Sequence, residues 1–101
     1  MALDLQSLDP VLESRVRVGV LALLANGDTV DFIRLRDELG VTDGNLATHL
    51  KRLEGARYVR VRKSFVGRKP HTAYVVTPAG RTALEHHVEL LAEALKTRKG
   101  G

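Results

Sequence analysis

A mostly helical α+β fold is predicted for this chain: short amphipathic helices first, then an antiparallel hairpin, then a long closing helix. Three observations predict it. Apolar residues recur at helical spacing between residues 9 and 54, the period switches to two-residue alternation at Tyr58, and helical spacing returns after Thr77-Pro78. At 101 residues there is room for one compact domain with a modest core, so the whole chain is expected to form it.

The first helix is expected over 9–26. Asp9 can cap free amides, Pro10 suits the first helical position, and Leu12, Val16, Val20, Leu23 and Leu24 make an apolar stripe before the Asn26-Gly27 stop. Thr29-Val30 can add a short strand. Asp31 caps a second helix over 31–39, whose Phe32, Leu35 and Leu39 face one way and which Gly40 ends. Thr42 caps a third over 42–54, with Leu46, Leu50 and Leu53 buried and Glu54-Gly55 at its end. Two short helices about so tight a turn suit a helix-turn-helix, whose second helix lies in the DNA major groove.

From Tyr58 the pattern is that of a half-buried strand, Val59 and Val61 pointing one way and Arg60 and Arg62 the other. Phe65 closes this strand, Val66 to His71 reads as a hairpin tip, and Thr72 to Val76 returns, giving a hairpin over 58–76. Thr77-Pro78 then starts a last helix over 78–96. Within it Leu84, Val88, Leu91 and Leu95 recur at the spacing of a coiled-coil seam.

Composition narrows the function classes. The chain has no cysteine, which excludes disulfides, thiolate zinc sites and cysteine nucleophiles. The longest apolar run, Val18 to Ala25, is too short to span a bilayer, and the chain opens on Asp4 and Asp9, so a cytoplasmic protein without a membrane partner is expected. No phosphate loop, nucleophile elbow or His-Glu-x-x-His is present, and no enzyme is expected. The net charge of +4 is unevenly spread: residues 1–54 carry six Lys/Arg against nine Asp/Glu, whereas residues 55–84 carry seven basic residues and no acidic one. A single-sign segment of that length fits an anionic partner, although a solvated basic face is the plainer reading.

The order Asp31-Phe32, Leu35, Leu39, Thr42-Asp43-Gly44-Asn45-Leu46, His49-Leu50, Leu53-Glu54, Tyr58-Val59, Lys63, Phe65, Gly67-Arg68-Lys69-Pro70, Thr72 and Thr77-Pro78-Ala79-Gly80-Arg81 resembles the small winged helix-turn-helix DNA-binding regulators related to the MarR and ArsR families. It extends from about Asp9 to Leu95. The resemblance implies a winged helix with a two- to three-stranded wing and a C-terminal dimerisation helix. It also implies operator binding as a homodimer, often as a repressor, with a small-molecule or metal signal in some members. One position departs from it: glycine is usual immediately before the Tyr-Val pair, whereas Arg57 stands here and the glycine lies earlier, at Gly55. A left-handed backbone at Arg57 would cost on the order of 1 kcal/mol.

With Leu46, Leu50 and Leu53 buried, the third helix would offer the duplex Thr42, Gly44, Asn45, Thr48, His49 and Arg52. Asn45 can pair with adenine, Thr48 can meet a thymine methyl or a phosphate, Arg52 can reach guanine or the backbone, and Gly44 lets a phosphate approach the helix start. Arg68 and Lys69 at the hairpin tip suit the minor groove, and Arg60, Arg62 and Lys63 suit flanking phosphates or merely guard a strand edge. The seam Leu84, Val88, Leu91 and Leu95, helped by Leu3, Leu5 and Leu8, is the candidate dimer contact, unless it packs within its own subunit. His86 and Glu89 lie one turn apart and could give a sensor a nitrogen and an oxygen ligand, but a fuller ligand set is missing and no metal or other cofactor is expected. A protein-interaction module is the other alternative; such versions tend to lose the basic wing.

Overall fold

The computed structural model describes residues 3–100, with side chains through residue 96. Two 3-10 turns, Leu5–Ser7 and Pro10–Leu12, lead into α1 (Arg15–Leu24). There follow β1 (Val30–Asp31), α2 (Phe32–Leu39), α3 (Asp43–Gly55), β2 (Val59–Val66), β3 (Lys69–Val76) and α4 (Pro78–Gly100). The three strands form one antiparallel sheet in the order β1-β3-β2, with the two-residue β1 against Tyr74 and Ala73 of β3.

Helix starts follow the capping chemistry. Asp31 Oδ1 accepts from the Arg34 amide at 2.7 Å, and Thr42 Oγ1 accepts from the Asn45 amide at 3.1 Å. The first helix departs from its expected bounds. Asp9 caps only the 3-10 turn, by accepting from the Val11 amide, and the α-helix begins after Ser14, whose hydroxyl accepts from the Arg17 amide at 3.2 Å. Asp9 has a second role, since the Tyr58 hydroxyl donates to its other oxygen. That bond, then burial, pushes the Tyr58 phenol up to about 12. At the other end α4 runs to Gly100, past the expected stop near Lys96.

α2 and α3 both end on a left-handed residue. After α2 it is Gly40, at φ 66°; after α3 it is Arg57, at φ 63°, among the described residues the one non-glycine with positive φ. There the Arg57 amide donates to Glu54 O and the Tyr58 amide to Leu53 O, both at 2.9 Å, which is the Schellman pattern. The terminating residue is thus Arg57 and not Gly55, which lies inside α3.

Leu21, Leu24, Leu35, Leu46, Leu50 and Leu53 are fully buried and draw α1, α2 and α3 together against Val30, Val59 and Tyr74 of the sheet. Gly80 seats α4 on this body: a Cβ there would lie 2.1 Å from Tyr58 O, so only glycine admits the contact. Thr77 completes the join, accepting from the Gly80 amide at 3.0 Å and donating to Arg57 O at 2.7 Å.

Candidate nucleic-acid interface

α3 presents Thr42, Gly44, Asn45, Thr48 and Arg52 to solvent, opposite its three buried leucines. Their chemistry differs. The Thr42 hydroxyl is used as the cap, whereas the Asn45 side chain makes no hydrogen bond among the described residues. Thr48 donates its hydroxyl to Gly44 O at 3.0 Å, so its proton is taken inside the helix. Around Gly44 a Cβ would meet nothing within 4 Å, which leaves the helix start open to a close approach.

His49 is only half-exposed, and its Nδ1 lies 2.9 Å from Arg17 Nη1. A guanidinium only donates, so Nδ1 accepts and the imidazole is neutral with its proton on Nε2. Burial, then the Arg17 charge, holds the His49 pKa below its ordinary value. Arg17, Thr42, Asn45 and His49 line one open groove between the starts of α1 and α3. The sequence reading missed Arg17 because no local signal links residues 32 apart in the chain. It also missed Lys51, exposed on α3 and seven residues after Gly44, a spacing that puts both on one helix face.

The hairpin's register divides its cations. Val59 pairs with Val76, Val61 with Tyr74, Lys63 with Thr72 and Phe65 with Pro70, so Lys63 and Phe65 share the face that packs toward the helices. Arg60, Arg62 and Lys69 occupy the reverse face. The loop is tighter than the sequence suggested, since Val66 pairs with Lys69 and leaves only Gly67 and Arg68 between the strands. Gly67, at φ 64°, supplies the positive angle such a loop takes at its first residue. Among the described residues Arg52, Arg60, Arg62, Lys63, Arg68 and Lys69 form no ion pair. The carboxylate beside α3's first turn, Asp43, is held by Arg36 Nη1 at 2.9 Å. Those hairpin and α3 cations therefore keep their charge free for an outside anion.

On α4, Leu84 packs against its own core, whereas Val88, Leu91 and Leu95 are 55%, 41% and 70% exposed. Leu5 is 71% exposed, and Leu3 and Leu8 are half-buried. Among the described residues no group of three or more His, Cys, Asp and Glu gathers to hold a metal, and His86 and Glu89 find no third ligand there. No helix among them is long and apolar enough to cross a membrane.

The family profile of the winged helix DNA-binding domain matches residues 16–95. The chain belongs to this family. An uncharacterized protein of Methanocaldococcus jannaschii is 37% identical over 78 residues, which are 77% of this chain and 85% of that protein. Among solved structures, a transcriptional regulator homologue from Pyrococcus horikoshii superposes with a TM-score of 0.79 at 25% identity over 86% of each chain. The transcriptional regulator BldR from Sulfolobus solfataricus shares the fold alone, with a TM-score of 0.71 at 20% identity over 84% of this winged helix and 60% of that chain. The DNA-binding family is a non-enzymatic one, and the elements that the profile spans, from α1 into α4, are those that carry the free cations and the polar face of α3.

Proposed function

We propose that this winged helix is a homodimeric, sequence-specific, double-stranded DNA-binding regulator of transcription, and that it represses by occupying its operator. α3 enters the major groove with Asn45, Thr48 and Arg52 toward base edges and Gly44 against a phosphate. The wing follows the adjacent backbone or minor groove, with Lys63 and Arg68 toward phosphates and Lys69 reaching them from the reverse face beside the tip. Arg60 and Arg62, on the sheet's reverse face, reach only a backbone that curves around the hairpin. One observation carries the reading: among the described residues six cations of α3 and the hairpin lack any counter-ion, while an uncommitted amide, Asn45, stands on the exposed face of α3.

Homodimerisation rests on the exposed Val88, Leu91 and Leu95 stripe and on the geometry of the motif, in which two recognition helices read half-sites about 34 Å apart. Selection from a random duplex pool tests both parts at once. A palindromic winner with half-sites about ten base pairs apart is expected. Binding should fall steeply with salt, and Arg68→Ala with Lys69→Ala should lower the salt slope by about one per lost phosphate contact. Salt-independent or absent binding to every duplex would overturn the reading in favour of a protein-interaction module.

A further inference from the structure

The chain has four aromatic residues, two Phe and two Tyr. Tyr74 lies in the core, and Phe32 and Tyr58 pack against it. Phe65 is left outside, 72% exposed near the end of the hairpin. A lone exposed apolar residue needs no explanation. Its placement does, because Phe65 shares a sheet face with Lys63 and lies beside the Gly67-Arg68 loop. On that face the ring stands opposite Pro70, with Lys63 two residues before it and Arg68 in the loop three residues after it, neither in an ion pair among the described residues.

An apolar ring with a cation along the strand on one side and another in the loop on the other fits the minor groove better than it fits a protein surface. Phosphates line the groove walls, and the stacked bases between them accept an apolar side chain where a step can be opened. The hairpin tip is also narrow, two residues joining paired strands, as entry into a confined groove requires. We propose that Phe65 is a minor-groove wedge: its ring presses against a base step, partly unstacks it, and so favours duplexes that carry a flexible pyrimidine–purine step beside the half-site. This rests on the DNA-binding reading and adds to it a selectivity for deformability that the cations by themselves do not supply.

The test uses the full chain, Phe65→Ala, Phe65→Leu and duplexes of about 30 base pairs that carry a selected half-site flanked by either a TpA step or an A-tract. 2-Aminopurine at the flanking step reports unstacking. The wild type is expected to prefer the TpA duplex by roughly tenfold and to raise the 2-aminopurine fluorescence. Phe65→Ala should keep the thermal midpoint and the salt slope while losing the preference and the signal, and Phe65→Leu should restore part of both. Salt-dependent binding by the wild type without unstacking, or an unchanged preference in Phe65→Ala, overturns the wedge and leaves the DNA reading standing. Loss of self-association in Phe65→Ala with unaltered DNA selectivity also overturns it, by assigning the ring to a contact between copies. Failure of the wild type to bind any duplex sinks the DNA reading itself.

Discussion

The carbonyl of Arg57 accepts a hydrogen bond from the Thr77 hydroxyl at 2.7 Å, while Arg57 itself is held at φ 63°. One residue thus ends α3, opens the wing and anchors the start of α4. A left-handed backbone costs a side-chain-bearing residue about 1–2 kcal/mol, and glycine relieves that cost but loses about 0.5–1 kcal/mol through the freer unfolded chain. Arg57→Gly should therefore raise stability by roughly 0.5–1 kcal/mol, seen as a thermal midpoint a few degrees higher. A lower midpoint would mean that the Arg57 side chain contributes more than its backbone strain costs.

Gly80 makes the complementary prediction. A methyl group there would meet backbone, Tyr58 O at 2.1 Å and Tyr58 C at 2.9 Å, and backbone cannot swing aside as a flexible side chain can. Gly80→Ala should cost about 3 kcal/mol or more by prying α4 from the β2 entry. Urea unfolding checks it, and a loss under 1 kcal/mol would show that the join between α4 and Tyr58 is soft.

Gly44 separates fold from function. Nothing lies within 4 Å of a Cβ built at this helical position, so Gly44→Ala should stabilise α3 by roughly 0.5–1 kcal/mol through helix propensity. On the proposed DNA contact, affinity should nevertheless fall, because the added methyl would stand where a phosphate is to approach the helix start. Parallel unfolding and anisotropy titrations would show the two changes with opposite signs; affinity that rises with stability would remove Gly44 from the interface.

These residues also mark how far the sequence could be read. The caps at Asp31 and Thr42, the leucine stripe of α3 and the alternation at Val59 to Arg62 are local signals, and each appears where local chemistry puts it. The departure at Arg57 was legible as well, because the resemblance asks for glycine there and the backbone does adopt the angle. What escaped is tertiary. Asp9-Pro10 reads as an α-helix start but makes a 3-10 turn, since Asp9 is also drawn to the Tyr58 hydroxyl far along the chain. The Arg17 to His49 bond likewise exists only once α1 has packed on α3.

His49, half-buried beside Arg17, makes folding sensitive to pH. The folded pKa of His49 lies below its ordinary 6.5, by burial first and the Arg17 charge second, so the unfolded chain binds the proton more readily. The contribution is fully present above about pH 6.5 and is lost as the pH falls through the folded value. Protonation would also set two cations against each other. The urea midpoint should fall between pH 7.5 and 5 more in the wild type than in His49→Gln, whose amide oxygen can still accept from Arg17 without titrating. Equal pH profiles for the two proteins would show that folding leaves the His49 titration unshifted.

The stripe on α4 gives the proposed dimer its test. Leu91 and Leu95 are exposed within one chain, so charging them removes no packing from the core, whereas Leu84 packs on the core of its own subunit. If the proposed dimer uses this stripe, Leu91→Glu with Leu95→Glu should therefore leave the fold intact and give a monomer in light scattering where the wild type gives a dimer. Affinity for a two-half-site operator should drop by about a hundredfold or more, because the second half-site then gains nothing from the first, while affinity for a single half-site should barely change. Leu84→Glu, by contrast, should destabilise the subunit itself. A doubly charged variant that still scatters as a dimer would place the interface elsewhere, with Leu5, 71% exposed at the opposite end of the sequence, the next surface to alter.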